Sequence, residues 1–215
     1  MSGIKLHQKL ENNAGLLIFG ILFVASIGGA AQVMPALFQD SLADATETTV
    51  PYSPVELMGR DIYIRESCSV CHTQHVRPLL AEVERYGPYS RAGEFVYDRP
   101  FLWGSKRTGP DLARLAGKYS DEWHRLHLLD PRALVPASIM PAYPWLEDRM
   151  ANADGDITLR LETLRKLGHP YTDDDIAGAD AALEGVTEMD ALIAYLQSLG
   201  RGYQPGSDDE AHGGH

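Results

Sequence analysis

Cysteine is scarce in this chain, with two residues among 215. Two cysteines cannot build the disulfide framework that staples a small secreted domain, so any covalent role they have is local. Basic charge is also in short supply. Lys and Arg number 19 against 30 Asp and Glu, a formal net charge of −11, which argues against a nucleic-acid surface because phosphate recognition needs clustered cations. The deficit is uneven: residues 51–150 balance at 13 acidic and 13 basic, whereas residues 151–215 hold 13 acidic and 4 basic. Charge of either sign is missing between Asn12 and Gln39. Hydrophobic residues make up 44% and the mean hydropathy is −0.22, which excludes both a polytopic membrane protein and a disordered chain. One anchor and one soluble domain, without internal repeats, fit this length.

The uncharged run Ala14–Phe38 has Gln32 as its one strongly polar side chain, and as a helix its 25 residues extend about 37 Å. That spans a bilayer and exceeds the apolar core of about 7–15 residues in a cleavable export signal. Lys5 and Lys9 precede the run, whereas Asp40, Asp44 and Glu47 follow it. The positive-inside rule therefore places the N-terminus in the cytoplasm and the rest in a bacterial periplasm. The expected organisation is a cytoplasmic N-terminus (1–13), a transmembrane anchor (14–38), a linker (39–52), a periplasmic domain (53–200) and a mobile acidic tail (201–215). Ala25, Ser26, Gly29 and Ala30 would let a second membrane helix approach closely. A single uncharged span offers no proton path.

Beyond the linker the pattern is helical. Ser53 caps a helix starting at Pro54 and running to Cys68; a second starts at Ser120 and stops before Pro131. Asp156 is expected to cap a third that stops at Gly168, Thr172 opens a fourth to about Glu184, and Thr187 opens the last, with Gly200 as its stop. Between Cys71 and Ser120, Gly, Pro and aromatic residues without periodicity predict ordered loop and short turns.

The one strong motif is C-x-x-C-H at Cys68, Cys71 and His72, the pattern of c-type haem attachment. Two thiols add across the vinyl groups of the porphyrin and the adjacent imidazole reaches the iron, its other ring nitrogen needing an acceptor. A thiol–disulfide pair would use the same cysteines, but the βαβ pattern around it is missing. Zinc held with His72 and His75 would crowd four ligands into eight residues. Candidates for the sixth iron ligand are Met140, Met150, Met189, His75, His124, His127 and His169. Met140 is preferred because Pro136 and Pro141 hold its loop extended; Met189 and Met150 read as packing residues, and His124 and His127 as surface or satisfied interior residues. A His/Met pair closes both axial positions, which suits electron transfer and not oxygen binding. Asp154-Gly155-Asp156 lacks the remaining ligands of a calcium loop, and His212 and His215 belong to a solvated end.

Gly109-Pro110-Asp111-Leu112 resembles the loop of small class I cytochromes c in which a proline carbonyl accepts the N–H of the proximal histidine, so Pro110 is expected to orient His72. Tyr195 on the last helix, facing Gly59 and Tyr63, resembles the crossing of first and last helices in that class. The segments GRDIYIRESCSVCHTQHVRP, ERYGPYS, GEFVYDRPFLWGSKRTGPDLAR, YSDEWHRLHLLDPR and SIMPAYPWL then resemble the membrane-anchored monohaem subunit of cbb3-type cytochrome c oxidases over about Met58 to Gly200. The resemblance implies a mainly α protein: one N-terminal transmembrane helix and a class I-like cytochrome c domain with a long loop insertion. It implies one covalent c-type haem joined to Cys68 and Cys71, with iron ligated by His72 and Met140. It also implies a single-pass subunit of the bacterial inner membrane that carries electrons, without oxygen chemistry of its own, toward the low-spin haem b of a catalytic haem–copper subunit, beside a dihaem cytochrome c subunit and a small single-span subunit. His75 stands where the family pattern has Met, and Ser67 where it has Gly. The insert from Gln74 to Gly109 is rich in aromatic residues and reads either as a docking surface for the catalytic subunit or as an internally packed loop covering the haem edge; Arg107 or Lys106 within it is a candidate partner for the haem propionates. A nitric oxide reductase subunit, a tethered electron shuttle and a membrane-tethered thiol oxidoreductase are the alternatives.

Overall fold

The computed structural model describes residues 2–37, 45 and 48–203. Phe38, Asp40, Asp44, Glu47, most of the linker, the tail from 204 and its histidines lie outside the described residues. The chain divides into two compact units, Met1–Ala43 and Asp44–His215.

The first unit holds α1 (Ser2–Glu11) and α2 (Ala14–Leu37). Ala14–Pro35 of α2 is long and apolar enough to cross a membrane, with a mean hydropathy of 2.2 and no part of it buried in the chain. An apolar helix without an internal partner matches a helix whose solvent is lipid.

The second unit contains α3 (Pro54–Arg65), α4 (Cys68–Cys71), α5 (Leu80–Tyr86), a 3₁₀ turn (Ala92–Phe95), α6 (Asp121–Leu129), α7 (Pro131–Leu134), α8 (Trp145–Asp148), α9 (Ile157–Lys166), α10 (Asp173–Ala177), α11 (Ala179–Ala182) and α12 (Glu188–Ser198). No strand occurs among the described residues. The protein is therefore mainly helical with one N-terminal candidate span.

α3 crosses α12, and Gly59 makes the crossing close. A Cβ there would fall 1.9 Å from the Ala191 carbonyl oxygen and 2.7 Å from Tyr195 Cβ. Leu57, Ile62, Tyr63, Met189, Leu192 and Tyr195 are buried around this contact, with Leu146, Ile157 and Leu161 from α8 and α9 completing the main core. Tyr195 exchanges hydrogen bonds with the amide of Gln74, at 2.9 and 3.0 Å, so the deepest polar groups are satisfied. Both helices carry capping boxes. Ser53 Oγ accepts from Glu56 N while Glu56 accepts from Ser53 N, and Thr187 and Asp190 do the same for α12.

Several boundaries differ from the sequence reading. α3 ends at Arg65 because Ser67 adopts a left-handed conformation, φ 60° and ψ 29°, before the turn that carries both cysteines. The fourth helix breaks at Gly178 into α10 and α11. Asp156 makes no side-chain cap; its carboxylate pairs with Arg160 at 2.9 Å instead. Met150, expected in the core, is 54% exposed and bridges to Thr187 through its backbone. The insert contains a two-turn helix, α5, that no capping residue announces, since its N-cap is Leu79. A small second core of Val76, Phe95 and Ala113 lies beneath the insert, with Val83, Tyr86 and Trp103 against it.

Candidate functional site

Between α4, α6 and the Met140 loop lies a cleft of about 510 Å³, within the range of ligand-binding sites. Cys68, Cys71, His72, Gly109, Pro110 and Met140 all line it, with Leu112, Leu128, Leu192 and Leu196 supplying apolar walls. Residues up to 72 positions apart are thus brought to one place: the cysteines by the turn after α3, Pro110 by the end of the insert, and Met140 by the loop beyond α7.

The His72 ring is fixed from one side. Its Nδ1 donates to the Pro110 carbonyl at 2.9 Å, leaving Nε2 as the nitrogen free to accept a metal. Burial pulls the imidazole's pKa down, opposed by that carbonyl. Gly109 makes the approach possible, because a Cβ there would sit 2.2 Å from His72 Cε1. Tyr63 donates to the His72 carbonyl at 2.7 Å, and Gly109 N donates to the Cys71 carbonyl at 3.0 Å. Met140 is held by its own N–H donating to Ser138 Oγ at 3.2 Å and by Tyr143 N donating to the Leu128 carbonyl at 2.8 Å.

Cys68 and Cys71 are not bonded to each other. Burial pushes the Cys68 thiol up to about 12, the reverse of the activated thiolate that a thiol–disulfide enzyme requires. Among the described residues no group of three His, Cys, Asp or Glu could hold a bare metal ion. An apolar cleft with two thiols at its edge, an oriented imidazole and a thioether fits a haem joined to the chain.

The remaining candidates fall elsewhere. Met189 is fully buried in the core, and Met150 is exposed. His169 is buried between Tyr97 and Tyr171, with neither ring nitrogen partnered. His75 stacks on Trp103 at 4.4 Å. Arg107 does not line the cleft: it donates to Glu82 at 2.7 Å and to the His75 carbonyl at 2.9 Å, and lies 3.6 Å from Asp111. These contacts brace the insert internally. His124 and His127 were read as ordinary surface or interior residues, yet both line the cleft. Their three-residue spacing on one face of α6 was the available signal.

Comparison with known proteins agrees with this geometry. Residues 7–186 match a family of respiratory oxidase subunits, described as cytochrome c oxidase, mono-heme subunit/FixO. The match covers most of the chain, which belongs to that family, the monohaem cytochrome c subunits of cbb3-type oxidases. No curated protein matches the chain in sequence.

Proposed function

We propose that this chain binds one haem covalently through Cys68 and Cys71, offers His72 and Met140 as axial ligands, and passes electrons to the catalytic haem–copper subunit that reduces oxygen to water. The observation that carries this reading is the convergence of those four residues and Pro110 on one apolar cleft. Bound haem supplies reversible one-electron chemistry at iron. The chain's own residues do the rest. Pro110 holds the His72 tautomer, Met140 would be the second residue to hold the iron, and the leucines line the cleft with apolar surface, a set that would favour electron transfer over oxygen binding. The anchor keeps the domain at the membrane, on the periplasmic side by the charges flanking it, beside a dihaem cytochrome c subunit and a small single-span subunit.

The insert is the proposed docking surface. Trp103 is sandwiched between His75 and Phe101, with ring centroids 4.4 and 4.6 Å away. Its faces are consumed internally, whereas Phe101 stays 47% exposed and offers the contact.

Affinity purification of the full chain from native membranes tests the proposal. The expected result is an oxygen-consuming complex containing a multi-span haem–copper subunit, with Phe101→Ser lowering its recovery. Recovery with a nitric-oxide-reducing partner, or alone, overturns it.

A further inference from the structure

We propose that Asp111 is a positioning residue whose carboxylate fastens the Pro110 loop to the backbone beyond His72 and whose buried negative charge lowers the potential of the iron that His72 would hold; this rests on the haem reading above. Asp111 is 8% exposed, and its side chain is wholly buried. Each carboxylate oxygen accepts one backbone N–H, Oδ2 from His75 at 3.0 Å and Oδ1 from Ala113 at 2.8 Å. The bond to His75 joins segments 36 positions apart in the chain. Two backbone bonds run alongside it, Gly109 N to the Cys71 carbonyl and Leu112 N to the Thr73 carbonyl, both 3.0 Å long. Residues 109–112 are thus laid against residues 71–75 by three fastenings, of which Asp111 supplies the one made by a side chain. Among them falls the contact from His72 Nδ1 to the Pro110 carbonyl, at 2.9 Å. A carbonyl orients a ligand histidine only as firmly as its own backbone is held.

The charge follows from the same contacts. Burial raises the pKa of the Asp111 carboxyl, opposed by its two N–H donors and by Arg107, 3.6 Å from Oδ2. Donors of this kind favour the ionised form. Arg107 compensates that charge incompletely, because it also donates to Glu82 at 2.7 Å. The His72 ring senses the carboxylate, which raises its pKa against the effect of burial. A charge removed from water is screened little, and a negative one stabilises ferric over ferrous iron. Pro110 alone would orient His72; Asp111, next in the chain, both steadies Pro110 and sets the electrostatic level at which His72 works.

The test uses the full ¹⁵N-labelled chain matured with haem, in detergent, read by potentiometric titration and by the Nδ1–H signal of the His72 ring in the NMR spectrum of the reduced protein. Asp111→Asn has nearly the same shape and keeps one oxygen acceptor but loses the charge; Asp111→Ala loses both. The expected result is an upward shift in potential in both variants. The His72 Nδ1–H signal should stay near its wild-type position in Asp111→Asn and move, or exchange faster with water, in Asp111→Ala. An Asp111→Asn variant that is haem-loaded with an unchanged or lower potential overturns the proposal. So does an Asp111→Ala variant whose His72 signal is unmoved, since the carboxylate then does not hold Pro110. Should Asp111→Ala fail to fold, the potential of Asp111→Asn decides alone. Haem-free wild-type protein overturns the function reading itself, and is distinguished by appearing before any substitution is made.

Discussion

Single residues set the geometry of the cleft. Gly109 lets the Pro110 carbonyl reach His72; in Gly109→Ala the added Cβ must displace the ring, since 2.2 Å is far inside contact distance. The expected outcome is a loss of about 1–3 kcal/mol in stability together with an altered low-spin spectrum, measured by urea unfolding and optical spectroscopy of the haem-loaded chain. Ser67 works the other way. Its φ of 60° costs about 1–2 kcal/mol for a side-chain-bearing residue, and glycine's extra unfolded-state entropy returns about 0.5–1 kcal/mol of that. Ser67→Gly should therefore stabilise by about 0.5–1 kcal/mol. This also explains physically why the family pattern has Gly there. His169 supplies a pH dependence away from the cleft. Burial first, then Arg99 and Arg60, depress its pKa, so below the ordinary value of about 6.5 the unfolded chain binds a proton that the folded chain refuses. Stability should fall as pH drops below that value and level off once the depressed folded pKa is passed. Urea unfolding at pH 7.5 and 5.5 should show a smaller difference in His169→Phe than in the wild type; an equal difference contradicts the assignment.

At the scale of elements, the α3–α12 crossing holds the cleft from behind, since Tyr63 and Leu192, which line it, come from these helices. Gly59→Ala puts a methyl 1.9 Å from a backbone carbonyl, where no flexible side chain can give way. A loss at or above the upper end of the usual overpacking range, about 3 kcal/mol, is expected in the stability measured by urea unfolding. A change below about 0.5 kcal/mol would show that the helices separate freely. The caps of α3, α6 and α12 and the stop at Gly200 were legible in the sequence, because Ser, Thr, Pro and Gly signal locally. α5 was not, because no capping residue marks its start and the helix is held by Val83 and Tyr86 packing on the Val76–Phe95 cluster. The cap expected at Asp156 failed because Arg160, one turn on, competes for the carboxylate. In the cleft, C-x-x-C-H and the proline-flanked Met140 could be read from spacing. The place of His124 and His127 in the cleft wall and the internal contacts of Arg107 depend on how α6 and the insert pack, which spacing alone does not encode.

At the scale of the molecule, the chain pairs one lipid-suited helix with a small helical domain built around a cleft. Its acidic surplus lies in residues 151–215, away in sequence from the cysteines and from the insert. In this account the haem is part of the domain's core: the leucine walls are complementary to a large apolar disc. The most direct measurement is made on the full chain expressed with a c-type maturation system, by acid extraction followed by a reduced-minus-oxidised spectrum of wild type and Met140→Ala. The account predicts one haem that resists extraction, low-spin in the wild type, with the methionine signature lost in the variant. Haem-free protein with two titratable thiols would contradict it.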